Sequence, residues 1–194
     1  MIAGLRWAPR LNLPPAVRKL ALAVHLGCSV GWVGAVVAYL ALDITVATSE
    51  DIAAVRAAWM AMALVVSWAI VPLALASLAT GLLMALGTKW GLFRHWWVLI
   101  SLVLTVLAVV VLLSEADIIS RSAAIAAGAS TTSAELRALP PTLVHSIGGL
   151  MVLLVVQILN VYKPRGLTPY GWRMQQVERH GVDRTRADMP GNEP

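Results

Sequence analysis

Charge and cysteine are both scarce in this 194-residue chain. Only 13% of its residues are Asp, Glu, Lys or Arg, about half the share of a soluble domain. Cys28 is the single cysteine, which excludes an intramolecular disulfide and any cysteine-based metal motif. No phosphate-binding loop, nucleophile motif or HExxH helix is read in the chain, so neither a hydrolase nor a kinase reading has support. The formal charge of +5 is not gathered into a stripe. Its basic residues flank apolar segments, which argues against nucleic acid and for anionic lipid headgroups.

What the chain has in abundance is apolar surface: 59% hydrophobic residues and a mean hydropathy of +0.77. That composition belongs to the membrane class and implies an all-α, polytopic four-helix bundle. A bilayer core of about 30 Å needs roughly 20 apolar residues as helix. Four segments qualify, at about 20–42, 60–86, 96–114 and 142–162. Residues 1–19 form an interfacial N-terminus, and 163–194 a basic tail expected to be disordered beyond Gly181. The first apolar run exceeds the roughly 7–15 residues of a signal h-region, so it is retained as a span.

Orientation follows from the basic residues. Of 15 Lys and Arg, only Arg56, Arg121 and Arg137 fall on one side; the rest, from Arg6 and Arg10 through Lys89 to the tail, share the side of both termini. The positive-inside rule makes that side cytoplasmic, in a bacterial cytoplasmic membrane. Helical pattern in the second span starts near Ser49 and ends at Gly87, and the third helix continues to about Ala127. Helices two and three should therefore project together on the outer face. Pro72 should kink the second helix, and Thr132 with Glu135 has capping-box spacing. Trp90, Trp96, Trp97, Tyr162, Tyr170 and Trp172 form an aromatic belt at the cytoplasmic edge.

The run "LAVHLGCSVGWVG" at 22–34 holds two stripes. Gly27, Gly31 and Gly34 share one face and read as a helix-packing seam, with Gly148 and Gly149 offering the same on span four. His25 heads the opposite stripe with Ser29, Trp32, Val36, Tyr39 and Asp43, which should face protein or water rather than acyl chains. Counting depth from the cytoplasmic edge puts His25, Thr80, Ser101 and Gln157 in one inner-leaflet layer, His25 bonding Ser101 or Gln157. An outer layer holds His145, Ser146 and Tyr39, with Glu115 just above. His25 and His145 are candidate metal ligands, but they stand roughly 17 Å apart in depth and cannot clamp one ion. His95 belongs to the headgroup zone. Met60 and Met62 suit Cu(I) only weakly without a cysteine or clustered histidine. Asp43 and Glu115 read as solvated carboxylates at span ends.

Within "HLGCSVGWVG" the first span resembles the His…Trp-x-Gly signature of the HemJ-type protoporphyrinogen oxidases and the copper-resistance D-type membrane proteins. In the former, the first-helix histidine is associated with haem b, and the resemblance transfers that role to His25. The stretches "GTKWGLFRHWWVLISLVLTVLAVVVLL" and "VYKPRGLTPYG" resemble a family of uncharacterised bacterial four-span integral membrane proteins. Lysine is frequent there at the position of Ser101. The resemblance implies the four-span fold and no particular activity.

Three functional readings follow. The first is a redox-type membrane protein holding haem b or a metal through His25, with Thr80, Ser101 and Gln157 around it. The second is a non-catalytic scaffold or accessory subunit, partnered by a second copy or a larger membrane complex. The third is a small transporter or proton path along the His25–Asp43 stripe. None specifies an enzyme class.

Overall fold

The computed structural model describes residues 14–87 and 92–187. Arg6, Arg10, Lys89 and Trp90, and the chain end from 188, lie outside the described residues. Four long apolar helices make an up-and-down bundle. They are α1 (Pro15–Thr48), the rod α2 (Ile52–Val65) and α3 (Val71–Gly87), α4 (Trp96–Ala127), and α6 (Leu143–Tyr162). No strand occurs among the described residues. All four are long and apolar enough to cross a bilayer, and the chain is a multi-pass membrane protein. The end carrying Pro15, Gly87, Trp96 and Tyr162 is termed the basic end, and the opposite one the far end.

Three of the spans overshoot the membrane, not two. The 34 residues of α1 extend roughly 50 Å, so it projects beside α2. Pro15 starts α1 at a position where its missing N–H costs nothing. Asp51 caps α2 by accepting from the Ala53 N–H at 2.9 Å. Pro72 does not end the helix. The turn just before it, Val66–Ile70, is a π-helix in which the Val71 N–H reaches the Val66 carbonyl. One extra residue in that turn accommodates the proline ring and lets α3 continue.

At the far end, α4 stops at Gly128 and α5 (Ser133–Arg137) carries the predicted capping box. Arg56 on α2 ties this corner down. Its guanidinium donates to the carbonyls of Ala126, Gly128 at 2.7 Å and Thr131 at 2.9 Å. Those carbonyls include ones that a helix C-terminus leaves without partners. At the basic end, α7 (Pro169–Ala187) continues past Gly181, so the described residues beyond that glycine are helical where disorder was expected. Thr168 fixes its start by donating through N–H to the Arg94 carbonyl at 3.1 Å and through Oγ1 to that of Phe93 at 2.5 Å. A Cβ on Gly171 would come within 2.3 Å of the Arg94 carbonyl oxygen, so only glycine fits there. Trp96, Tyr162, Tyr170 and Trp172 are exposed at this end, as the aromatic belt requires.

The glycine seam is not where the helices pack. A Cβ on Gly27, Gly34, Gly148 or Gly149 would meet nothing within 4 Å, and only Gly31 touches a neighbour, Leu73 at 3.4 Å. Contact falls instead on the opposite stripe of α1, where Trp32, Val36, Tyr39 and Asp43 are buried. The close approach uses Gly81 of α3, whose missing Cβ would lie 3.0 Å from the His25 ring.

Candidate functional sites: two cavities on one stripe

The buried stripe of α1 borders two cavities. The first, about 490 Å³, lies towards the basic end. His25, Ser29, Ser77, Ser101, Gln157 and Lys163 are among its lining residues. The second, about 350 Å³, lies towards the far end and holds Tyr39, Glu115, Thr142, His145 and Ser146. Trp32 and Leu153 line both, standing between them.

His25, Ser101 and Gln157 therefore share one cavity. Thr80 meets His25 from behind rather than lining it. The partners of the imidazole differ from expectation: Nδ1 stands 3.1 Å from the Ser77 carbonyl oxygen and 3.1 Å from Thr80 Oγ1, with neither Ser101 nor Gln157 bonded to it. The cause is Gly81, which brings α3 closer to the ring than α4 or α6. A carbonyl can only accept. Thr80 already donates to the Ala76 carbonyl at 2.6 Å. Both neighbours thus require the proton on Nδ1, which leaves Nε2 with its lone pair and no hydrogen-bond partner. Ser101 Oγ is buried and also without a partner.

Ser29 bonds Ser77 Oγ at 2.8 Å, lacing α1 to α3 one turn further in. The stretch "GCSVG" around it matches a nucleophile-elbow spacing, but an elbow needs a strand-to-helix turn and Ser29 lies inside a continuous helix.

The far-end group carries the clearest departure from expectation. Asp43 is not solvated: it is 2% exposed. Its Oδ1 accepts from Thr142 Oγ1 at 2.7 Å and its Oδ2 from Ser146 Oγ at 2.7 Å. Thr142 sits at the N-cap of α6, yet its hydroxyl turns to Asp43 instead of capping. Glu115 is largely covered as well, and its Oε1 lies 3.7 Å from Nε2 of the half-exposed His145. Tyr39 is buried beside them, with Thr142 the polar neighbour of its hydroxyl. Asp43 could have been singled out from sequence as the far end of the polar stripe, level with Ser146.

No group of three or more His, Cys, Asp or Glu able to hold a metal ion occurs among the described residues. His145 pairs with Glu115 alone, and His25 has no second protein ligand near it. Met62 is fully buried in the core, which removes the Met60–Met62 copper site.

These features define a polytopic four-helix membrane protein with a histidine-walled cavity and an acidic one. Comparison of the chain with protein-family models, with curated proteins and with solved structures finds no match.

Proposed function

We propose that this protein binds haem b in the cavity at the basic end and serves a redox role in a bacterial cytoplasmic membrane, its basic end facing the cytoplasm. The supporting observation is the state of His25: a ring fixed through Nδ1–H on the Ser77 carbonyl, with an unpartnered Nε2, on the wall of a cavity of about 490 Å³. Metal-ligating histidines are held in this way, the far nitrogen bonded to a carbonyl and the near one left for the metal. The volume lies within the roughly 300–1,000 Å³ of cofactor pockets.

The donor set fits a porphyrin better than a bare ion. One imidazole is too few for an ion, whereas a macrocycle brings four nitrogens of its own and would need only His25 from the protein. Ser101 offers a buried hydroxyl to a polar edge, and Lys163 lines the cavity where carboxylates of such a group would meet the headgroup zone. When bound, haem supplies one-electron chemistry. The chain's part is to hold the imidazole tautomer, keep the face of the group among apolar side chains and anchor its charged edge.

The test is a reduced-minus-oxidised visible spectrum of detergent-purified protein expressed with ample haem supply. Wild type and His145→Ala should show haem bands and His25→Ala should not, all three eluting as folded protein. Featureless absorption from well-folded wild type, with no iron by elemental analysis, would overturn the proposal.

A further inference from the structure

The far-end cavity is independent of this reading and has a chemistry of its own. Its walls are apolar along most of their length, with Leu107, Val111, Val144 and Val152 among them. Polar atoms gather at one end, on Tyr39, Glu115, Thr142, His145 and Ser146. Hydroxyl direction decides what that end can bind. Thr142 and Ser146 each have one proton and donate it to Asp43, so towards the cavity they present only lone pairs. Glu115 adds a carboxylate, and the Asp43 carboxylate lies directly behind the two hydroxyls. Tyr39, 5% exposed and beside Thr142, places a further oxygen there. The one basic side chain on the lining is His145, half-exposed and already beside Glu115. An end built of acceptors and negative charge selects a ligand that donates and is positive.

We propose that this cavity is a binding site for a lipophilic organic cation, a primary or secondary ammonium carrying an apolar body. Its nitrogen sits between Glu115, Tyr39 and the Thr142 and Ser146 oxygens. The ring of Tyr39 lines the same end, and aromatic rings attract cations. The body lies along the α4–α6 wall. Gly148 and Gly149 line that wall, and a Cβ on either would meet nothing within 4 Å, so the groove is open where the body enters. Leu107, Val111 and Val144 are exposed on the lipid-facing side, which gives a membrane-dissolved ligand a lateral entrance. An anion is repelled by Glu115 and Asp43, and a neutral alcohol forgoes the charge.

The experiment is calorimetric titration of the full-length protein in a neutral detergent with 4-phenylbutylammonium, using 4-phenylbutanol and 4-phenylbutyrate as controls. The ammonium should bind saturably at one site, the alcohol at least ten-fold more weakly and the carboxylate not measurably. Glu115→Gln should weaken the ammonium at least ten-fold, and Tyr39→Phe a few-fold. Gly149→Val, which narrows the groove without a clash, should weaken all ligands alike. His25→Ala should leave binding unchanged, which separates this site from the haem proposal. Equal affinity for alcohol and ammonium would overturn the inference and mark the cavity as a general apolar or lipid site. So would absence of saturable ammonium binding, or unchanged binding in folded Glu115→Gln.

Discussion

Removing the Asp43 carboxylate alone should damage this protein more than removing the carboxylate together with both hydroxyls that bind it. Asp43, Thr142 and Ser146 are all buried, at 2%, 3% and 7% exposure, and the two bonds are 2.7 Å each. A hydrogen bond to a charged group contributes about 1.5–3 kcal/mol, and a buried group left without its partner costs about 1–3 kcal/mol. In Asp43→Leu, Thr142 Oγ1 loses its acceptor, whereas Ser146 Oγ can fall back on the Leu143 carbonyl at 3.0 Å. The single substitution should therefore cost about 2–4 kcal/mol, from one orphaned hydroxyl and one weakened bond. The triple variant Asp43→Leu, Thr142→Val, Ser146→Ala leaves nothing unpaired and should recover most of that loss, as apolar replacements of buried polar clusters do. Unfolding in mixed micelles of increasing SDS fraction, followed by tryptophan fluorescence, measures both. A triple variant no more stable than Asp43→Leu would refute the reasoning, because the cost would then lie in packing rather than in orphaned donors.

Two further outcomes follow from the far-end corner. Arg56→Met removes three bonds to the end of α4 and the loop after it, and should cost about 2 kcal/mol in the same assay, with Arg56→Lys recovering less than half because an ammonium lacks the planar fork. The backbone N–H of Thr132, and then its hydroxyl, hold the Glu135 carboxyl below its usual value. A depressed folded-state value gives stability that is present above about pH 4.3 and lost as pH falls through the lowered pKa. Hydrogen exchange of the α5 amides, corrected for intrinsic rates, should accelerate below that pH in wild type, while Glu135→Gln should show no such acid-dependent step.

Sequence reading went furthest where one segment decides its own structure. Apolar run length placed all four spans, and Thr132 with Glu135 named a capping box that is present. It also put His25, Ser101 and Gln157 at one depth, because helical rise converts residue count into height. It failed where a second segment had to be known. Small residues at helical spacing show that a neighbour can approach, not that one does, and Gly27 and Gly34 meet none. Asp43 stands at a span end by count, but the N-cap and first turn of α6 bring Thr142 and Ser146 over it. The partner of His25 was decided by Gly81, one glycine among many in the sequence. Pro72 signalled a kink, and the structure places a π turn just before it.

The distribution of buried side chains explains why the cavities lie where they do. Val55, Ala58, Trp59 and Met62 of α2 pack against Ile119, Ala123 and Ala126 of α4 and Leu136 of α5, all under 9% exposed and all near the far end. By contrast, in the most apolar stretch of each span only 17–28% of residues are buried. This is what the two solvents demand. Outside the bilayer, water drives apolar side chains together and leaves little void. Inside it, acyl chains solvate leucine as well as another helix would, so apolar contact adds little cohesion and an unfilled space among the helices costs less. The projecting ends of α2 and α4, locked by Arg56, thus act as the clamp, and the spans below can stand apart around His25 and Glu115. Tight packing in the projecting ends is the condition for open, chemically furnished space within the spans.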